Sequence, residues 1–329
     1  MKRFIAFAAL AIFALGCSPS VRSKEKTLEN TTVRIMTFNI WGYGKGRKFP
    51  PARIAEVIKA SKADIVGLQE NRKTARALAD MLGWHYVKQG RSAALLTRFE
   101  IVETTEKKHG IKIRLASGQE VFVFNVHFLP SPYQPYQLLN IPYGGAPFIK
   151  TEKEAIAAAG KVHGGHLKSL LEEIQAARDQ EIPIFITGDF NEPSHLDWTE
   201  PAARSGRHPI KVSYPSSSAL TEAGFADAYR TVHPDEMKMP GYTWTPVTKI
   251  TDPKDHHDRI DFIYFRGKGV RVKRVEIVGE NSKNADVVVK AYPFDHRAVV
   301  ATVGIAKQPG GSKPKPPEPP GNSVTPLSP

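Results

Sequence analysis

The chain has 329 residues, of which 41% are hydrophobic and 24% are charged, the composition of an ordinary globular protein that can bury a core. Lysine and arginine outnumber aspartate and glutamate by 46 to 33, so the formal net charge is +13, which favours anionic partners such as nucleic acid, phospholipid head groups or small phosphate esters. A single cysteine excludes an internal disulfide framework and any zinc cluster built from several cysteines.

The first 17 residues have the pattern of a secretion signal. Lys2 and Arg3 precede an unbroken apolar run from residue 4 to residue 15, which has the length of a signal-peptide core and is too short for a permanent membrane span. The letters ALGC that end at Cys17 resemble a bacterial lipobox, in which the cysteine is lipidated and becomes the mature N-terminus. The sequence therefore predicts a signal peptide over residues 1–16 and a membrane anchor on Cys17, and Ser18 favours the outer membrane. A plain secretory signal, and hence a secreted protein, is the alternative.

Composition divides the rest of the chain into three segments. Residues 17–30 are polar without periodicity and predict a tether, and residues 308–329 contain eight of the chain's 26 prolines, which predicts an extended, disordered tail. Between them, residues 31–307 predict one continuous globular domain without internal repeats.

Short apolar runs within that domain predict strands. They are Val33–Ile40, Asp64–Gln69, Ser92–Thr97, Glu120–Phe128, Ile182–Thr187, Arg259–Phe265, Val270–Val278 and Ala298–Val303. Helical spacing of apolar residues predicts helices over Pro51–Ala60, Arg72–Leu82 and Thr151–Arg178. Strands dominate and many are consecutive, so the pattern favours an α/β sandwich of two packed sheets with helices outside over a doubly wound parallel sheet.

Several predicted strands end in a side chain suited to binding or catalysis. These residues are Asn39, Glu70, His127, Asp189 and Asn191, followed near the C-terminus by Asp258, Asp261, Asp295 and His296. A polar residue at the end of a buried strand lies at the rim of the sheet, where loops on a rigid scaffold carry binding and catalytic groups. We therefore expect these residues to collect at the rim of the sandwich.

Six segments in this order resemble the motif series of the endonuclease/exonuclease/phosphatase superfamily, whose fold resembles that of deoxyribonuclease I. They are TFNIW, GLQE, NVHF, GDFN, DRIDFIY and FDHRAVV, and they span Asn39 to His296, nearly all of the globular region. The resemblance implies a four-layer α/β sandwich, with two mainly antiparallel sheets flanked by helices. It also implies an enzyme that hydrolyses phosphate esters with a divalent metal.

The chemistry of that reaction explains the residue types. Hydrolysis needs a nucleophilic water, neutralisation of charge on the phosphoryl oxygens, and an easier departure for the leaving alkoxide. Glu70 is a hard carboxylate suited to Mg²⁺ or Mn²⁺, and Asn39 would add a neutral oxygen to the metal or orient Glu70. The resemblance adds Asp295 as a further metal ligand.

His296 is the predicted general base, since histidine has a suitable pKa and a carboxylate partner would fix its tautomer. The family pairs this histidine with an aspartate, here Asp261, but Asp258 competes because some members carry the aspartate immediately before the arginine of DRI. We favour Asp261, which alternates with Ile263 and Phe265 on one face of the strand.

The remaining predicted residues contact the substrate. Asp189 and Asn191 would face the attacking water and the phosphoryl oxygens, and His127 would donate a hydrogen bond to a non-bridging oxygen. Two loops are candidates for the substrate side, residues 42–48 after the Asn39 strand and residues 129–148 after His127. Their predicted contacts are the cations Lys45, Arg47 and Lys48 and the rings of Tyr133 and Tyr136. The cations could grip phosphates or remain solvated, and the rings could stack on a base or sugar or pack on the domain.

The sequence thus predicts a monomeric, Mg²⁺- or Mn²⁺-dependent hydrolase of phosphodiester or phosphomonoester bonds. A nuclease is favoured by the basic charge and by the segments QENR and DRI, which resemble those of nuclease members of the superfamily. A small-molecule phosphatase and a phosphodiesterase of the phospholipase C or sphingomyelinase type are the alternatives. A surface binding lipoprotein without catalysis is a further alternative, but it would have lost metal or base residues, and all of them are present.

Overall fold

The computed structural model describes residues 31–42, 49–178 and 180–306. The predicted signal peptide, the tether, the tail, and the residues Cys17, Lys45, Arg47 and Lys48 lie outside the described residues, so the interpretations that concern them stay predictions. Within the described part of the chain, no helix combines the length and the apolar character that crossing a membrane requires.

The first of two β-sheets has seven strands. Numbered along the chain, they are β1 (Thr31–Asn39), β2 (Ile65–Gln69), β3 (His85–Gln89), β4 (Ala93–Thr97), β11 (Val270–Gly279), β12 (Val287–Val288) and β13 (Ala298–Ile305). Their spatial order is β12-β11-β13-β1-β2-β4-β3, so β1 lies in the middle, antiparallel to β13 and parallel to β2.

The second sheet has six strands. They are β5 (Glu100–Thr104), β6 (Gly110–Arg114), β7 (Glu120–His127), β8 (Ile184–Asp189), β9 (Ala226–Asp227) and β10 (Asp261–Arg266). The order is β5-β6-β7-β8-β10-β9, with β7 parallel to β8 and β8 antiparallel to β10. The helices are α1 (Pro51–Ser61), α2 (Thr74–Leu82), α3 (Gln134–Leu138), α4 (Glu152–Arg178), α5 (Glu200–Arg204), α6 (Pro215–Glu222) and α7 (Ala228–Val232).

Three apolar clusters separate four layers. One lies between the first sheet and helices α1 and α2, one between the two sheets, and one between the second sheet and helices α4 and α6. Burial of these apolar surfaces is the main favourable contribution to folding. The layers confirm the predicted four-layer α/β sandwich, and both sheets are mixed but mainly antiparallel.

Residue alternation along β1 explains how the core and the rim are connected. Val33 and Ile35 point between the sheets and pack in the central cluster, whereas the alternate residues pack against the helices. Thr37 and Asn39 continue the face of Val33 and Ile35, so this face becomes polar at the end of the strand. Strands β7 and β8 change in the same way at the same edge.

The observed bounds of the predicted elements differ from the expected ones by no more than two residues at each end. The sequence does not predict β3, β5 and β6, the two-residue strands β9 and β12, or the helices α5, α6 and α7. Strands β3 and β5 lie at sheet edges, where exposed residues interrupt the apolar run that marks a buried strand. The loop expected over residues 129–148 contains the short helix α3.

Candidate active site

The polar strand ends of both sheets meet at one edge of the sandwich. Asn39 ends β1, Glu70 follows β2, and His127 and Asp189 end the parallel strands β7 and β8. Asp261 begins β10, and the antiparallel register places it directly opposite Asp189. Asp295 and His296 precede β13, the antiparallel neighbour of β1, and therefore reach the same edge. The structure thus brings the predicted core residues together.

His296 pairs with Asp261 and has no direct bond to Asp258. Its Nδ1 lies 2.8 Å from Oδ2 of Asp261, and both side chains are buried. Burial alone would lower the pKa of the imidazole, but Asp261 and Asp189 beside it raise that pKa to about 10. Asp258 instead accepts hydrogen bonds from the Tyr133 hydroxyl at 2.7 Å and from Nε1 of Trp198 at 2.9 Å.

Asp189 lies at the centre of the cluster. Its Oδ2 accepts a hydrogen bond of 2.8 Å from Nδ2 of Asn39, and its Oδ1 accepts the backbone N–H of Asn191 at 2.9 Å. The same Oδ2 lies 3.7 Å from Nε2 of His127 and 3.8 Å from Nε2 of His296. Burial raises the pKa of the Asp189 carboxyl to about 7, although His296 opposes the rise.

His127 and Asn191 face this carboxylate from the second sheet. Nδ1 of His127 lies 3.2 Å from the Ser92 hydroxyl, while its buried Nε2 has no hydrogen-bond partner among the described residues. Burial lowers the pKa of this imidazole, so the neutral form is favoured. Asn191 adopts a left-handed backbone with a φ of 46° and anchors its amide on the Phe128 carbonyl at 3.0 Å. This turn brings the Asn191 side chain back over Asp189.

Glu70 and Asp295 are the residues best suited to hold a divalent cation. Both line the same cavity, and Oδ1 of Asp295 is buried without a hydrogen-bond partner in the described part of the chain. Burial raises the pKa of the Asp295 carboxyl to about 7, and the negative charge of Glu70 adds to the rise. Two oxygen donors that repel each other in a buried site fit a hard cation such as Mg²⁺ or Mn²⁺.

Two other arrangements of ligands fit less well. Asp189, Asp261 and His296 place one ligand atom each within 4.8 Å of one another, but Oδ2 of Asp189, Oδ2 of Asp261 and Nδ1 of His296 are already hydrogen-bonded. Asn39 donates to Asp189, and its Oδ1 accepts the backbone N–H of Trp41 at 2.9 Å. The structure therefore places Asn39 against Asp189, in a position to orient that carboxylate.

Gly42 allows the loop after β1 to approach the loop that carries Glu70. A Cβ atom at this position would lie 1.7 Å from the backbone oxygen of Glu70, far inside van der Waals contact. Glu70 itself has a left-handed backbone with a φ of 54°. The position of Glu70, a predicted cation ligand, thus depends on a residue without a side chain.

A cavity of about 480 Å³ opens beside the catalytic cluster. Its lining combines Glu70, Asp189, Asn191, Asp295 and His296 with Trp41, Pro130, Tyr133, Tyr136, Ile141, Pro142, Tyr143, Trp244, Lys254 and Ile260. The hydroxyls of Tyr133 and Tyr136 bond to Asp258 and Asp255, so these two tyrosines offer the cavity their rings. Segment 129–148 therefore forms a wall of the site.

Sequence reasoning missed the tryptophans of this cavity and a polar layer beneath it. Trp244 reaches the site through isolated β-bridges to Asp258 and His296, contacts that no local pattern reveals. Below the cluster, Nε2 of Gln69 donates to Oδ1 of Asn125 at 2.7 Å, which joins the two sheets through buried amides. A signal for this layer does exist, since Thr37, Asn125 and Thr187 each precede a predicted site residue by two positions.

Comparison with known proteins adds independent information. Residues 36–282 match the sequence model of the Endonuclease/Exonuclease/phosphatase family. A relative from Caenorhabditis elegans, "Uncharacterized protein F14F9.5", is 30% identical over 319 residues, which cover 89% of this chain and 96% of the relative.

Two solved structures show a similar fold. An endonuclease/exonuclease/phosphatase from Beutenbergia cavernae superposes with a TM-score of 0.53 at 16% identity, over 84% of this chain and 72% of that chain. TDP2 from D. rerio, complexed with a single-strand DNA product, superposes with a TM-score of 0.51 at 16% identity, over 83% of this chain and 99% of that chain. At such identities these likenesses concern the fold.

Proposed function

We infer the role of each residue from one premise: the chain belongs to the endonuclease/exonuclease/phosphatase family and is a metal-dependent phosphoester hydrolase. We propose that it cleaves phosphodiester bonds with water, that Mg²⁺ or Mn²⁺ is the metal, and that nucleic acid is the substrate class. The observation that carries this proposal is the hydrogen-bonded pair of His296 and Asp261 at the cavity. In this pair Nδ1 of His296 contacts Asp261, and Nε2 of His296 lies 3.8 Å from Oδ2 of Asp189.

His296 acts as the general base in this proposal. Asp261 accepts the Nδ1 proton, which fixes the tautomer in which Nε2 would carry the lone pair once the positive charge of a bound cation has lowered the raised pKa of His296. Nε2 removes a proton from the attacking water, and Asp189 accepts a hydrogen bond from that water. The new P–O bond forms as the bond to the leaving oxygen breaks, and that oxygen finally takes up a proton.

Two residues stabilise the charge that develops on the phosphoryl group. If Nδ1 of His127 accepts the Ser92 hydroxyl proton, Nε2 carries a hydrogen and donates it to a non-bridging oxygen. The Asn191 amide donates one hydrogen to the Phe128 carbonyl and the other to Oδ2 of Asp189 at 3.3 Å, and it supplies a second donor when a phosphoryl oxygen replaces Asp189 in this longer bond. A cation held by Glu70 and Asp295 would neutralise phosphoryl charge and assist the leaving oxygen.

The substrate class rests on charge and on the cavity wall. A net charge of +13 favours a polyanion, and the rings of Tyr143, Trp41 and Trp244 beside the centre suit stacking on bases. TDP2 from D. rerio is described with a DNA product, and the proposal extends that substrate class to this chain.

A small-molecule phosphodiesterase is the second candidate. The composition of the cavity lining favours this candidate. Among the described residues that line the cavity, Lys254 is the only one that is a lysine or an arginine, and most of the others are apolar or aromatic. Such a cavity suits a compact ester with an aromatic or apolar group better than a long phosphate backbone.

A panel of substrates tests the proposal. Plasmid DNA, single-stranded DNA, RNA, inositol phosphates, phospholipids and a chromogenic diester are incubated with Mg²⁺, with Mn²⁺ and with excess chelator, and His296→Ala serves as the inactive control. We expect cation-dependent cleavage of nucleic acid and of the chromogenic diester. Cleavage of the small esters alone would replace the nuclease by the second candidate, and full activity in chelator would exclude the metal-dependent mechanism.

The location of the protein is a separate proposal. We propose an outer-membrane lipoprotein anchored through Cys17, on the basis of the lipobox-like segment. Labelled palmitate should enter the full chain and should not enter a Cys17→Ser variant, and equal labelling of both would exclude the anchor.

A further inference from the structure

A second cluster of ligand-type side chains lies behind the cavity wall. It consists of His208, from the segment between α5 and α6, and of His256 and Asp258, which precede β10. Nδ1 of His208 lies 3.1 Å from Nε2 of His256, and that Nε2 lies 3.7 Å from Oδ1 of Asp258. The three ligand atoms all lie within 4.8 Å of one another.

We propose that His208, His256 and Asp258 form a second metal site, separate from the carboxylate centre, that binds a borderline transition metal ion such as Zn²⁺. Zinc binds imidazole nitrogen and carboxylate oxygen at roughly 2.0–2.2 Å in tetrahedral geometry, which places ligand atoms roughly 3.3–3.5 Å apart. The separations of 3.1 Å between His208 and His256 and of 3.7 Å between His256 and Asp258 bracket that value, and the third pair, His208 and Asp258, lies within 4.8 Å. Small side-chain movements bring all three atoms onto one ion.

The charges of the cluster favour a cation. Asp258 is 2% exposed, and both of its oxygens accept hydrogen bonds from uncharged groups, the Trp198 indole and the Tyr133 hydroxyl. Among the described residues, Asp258 forms an ion pair only with His256, whose Nε2 lies 3.7 Å from Oδ1 of Asp258. A buried carboxylate that lacks a close cation is costly, and a bound metal ion supplies the missing positive charge.

The two imidazoles can present lone pairs to the same ion without a net loss of protons. In the metal-free protein one ring donates its N–H to the other across the 3.1 Å separation. Metal binding needs a bare nitrogen on each ring, so the proton between them moves to the outer nitrogen of the donor ring.

The surroundings hold the three ligands in place and leave one approach open. Trp198 stacks on His208 with a centroid separation of 4.2 Å and donates to Asp258. Tyr133 donates to the other oxygen of Asp258, so the cluster contacts a residue that lines the catalytic cavity. The side chain of His256 is 15% exposed, and this side can admit the ion and a water as the fourth ligand.

The two sites differ in donor type, and this difference allows them to be measured separately. The full chain is stripped of metal, the carboxylate centre is saturated with excess Mg²⁺, and Zn²⁺ or Co²⁺ is added. We expect one tightly bound ion per chain, and for Co²⁺ the intense visible absorption of a four-coordinate site. Nitrogen NMR of the unsubstituted protein should show the rings of His208 and His256 shifting when Zn²⁺ is added.

Substitutions assign the ion to the cluster. His256→Gln should weaken Zn²⁺ binding by at least ~10²-fold, more than the loss of an outer-shell partner usually does. His257→Gln is the matched control, because His257 is the neighbouring buried histidine and bonds to Thr248 instead. Glu70→Gln removes a ligand of the catalytic centre and should leave the Co²⁺ spectrum unchanged.

Three results would overturn the second site. The first is the absence of Zn²⁺ or Co²⁺ binding to the wild type in excess Mg²⁺. The second is binding that Glu70→Gln abolishes and a folded His256→Gln retains. The third, which decides the matter even if His256→Gln fails to fold, is a set of unchanged nitrogen shifts for His208 and His256 in the zinc-treated wild type.

Discussion

Asn39 donates a hydrogen bond of 2.8 Å from Nδ2 to Oδ2 of Asp189, and this bond joins a strand end of one sheet to a strand end of the other. Asn39 thus holds Asp189 in the orientation in which its Oδ2 lies near both His127 and His296. The amide oxygen of Asn39 accepts the backbone N–H of Trp41. In this arrangement Asn39 fixes a neighbouring carboxylate rather than Glu70.

The two aspartates that compete for the His296 partnership should behave differently when substituted. Asp261→Asn should lower kcat on a chromogenic diester by at least ~10²-fold, as should His296→Ala, because both changes remove general base catalysis. Asp258→Asn should reduce kcat less, since Asp258 bonds to Tyr133 and Trp198. Steady-state kinetics with a thermal melt of each variant measures this, and a larger kcat loss in a stably folded Asp258→Asn would reverse the assignment.

Metal affinity should depend on Glu70. Glu70→Gln removes the negative charge of a predicted ligand, so the Mg²⁺ concentration for half-maximal activity should rise at least ~10-fold. Glu106→Gln, an exposed glutamate in the turn between β5 and β6, should leave it unchanged. A Mg²⁺ titration of activity measures both, and equal curves for all three proteins would remove Glu70 from the metal site.

The protonation of His296 can be observed directly in the metal-free protein. Its raised pKa of about 10 means that the imidazolium should persist through neutral pH in excess chelator. The stability this contributes is fully present below the unfolded pKa, about 6.5, and is lost as the pH rises through about 10. Proton NMR of the His296 ring should show its titration midpoint moving to lower pH in Asp261→Asn. An unchanged midpoint would mean that Asp261 does not raise the pKa of His296.

A methyl group at Gly42 should displace Glu70. Gly42→Ala places a Cβ 1.7 Å from the Glu70 backbone oxygen, so the loop must move, at a cost of roughly 1–3 kcal/mol of stability, the range for overpacking. The Mg²⁺ requirement should rise as well. Gly160→Ala, on an exposed position of α4 with no heavy atom within 4 Å, should be neutral or stabilise by up to roughly 1 kcal/mol. Urea unfolding and Mg²⁺ titration of both variants measure these effects.

Salt dependence should reveal whether the loop cations bind a phosphate backbone. If nucleic acid is bound, log K should fall with log salt by roughly 0.7–0.9 per phosphate contact. Neutralising Lys45, Arg47 and Lys48 together should flatten this slope and leave hydrolysis of a small diester almost unchanged.

The matched control neutralises two lysines and one arginine at the opposite end of the first sheet, namely Lys268, Arg271 and Lys273. It should keep the slope of the wild type. A shallow slope in the wild type, without cleavage of plasmid or single-stranded DNA, would favour the small-molecule phosphodiesterase.

The sequence predicted the strand ends well because each one combines two local signals. In β8, for example, a buried apolar run ends at Asp189, and the polar residue Thr187 two positions earlier marks the change of face. Such a pattern needs no knowledge of distant contacts. The fold class followed for the same reason, since consecutive strands with separate helices restrict the possible layers.

The walls of the cavity could not be predicted in this way. Trp244 reaches His296 only because the segment before β10 folds back across the rim, and its ring lies 5.0 Å from the His296 ring. Likewise, His163 on α4 has no acidic neighbour along the helix, yet Glu192 lies 2.7 Å from its Nδ1. These partners are 52 and 29 positions apart in the sequence, and only the tertiary fold brings them together.

The first and last strands of the domain pair with each other, from Thr31 opposite Ile305 to Thr37 opposite Val299. Asp295 and His296 stand just before β13, so a ribosome must complete almost the whole domain before the proposed base and one proposed metal ligand exist. Until β13 has been synthesised, β1 lacks its antiparallel neighbour in the middle of the first sheet. Such pairing between distant segments makes folding slow. We therefore expect a C-terminally truncated chain that lacks β13 and the residues before it to be inactive, and hydrolytic activity to begin only after synthesis has delivered the final strand.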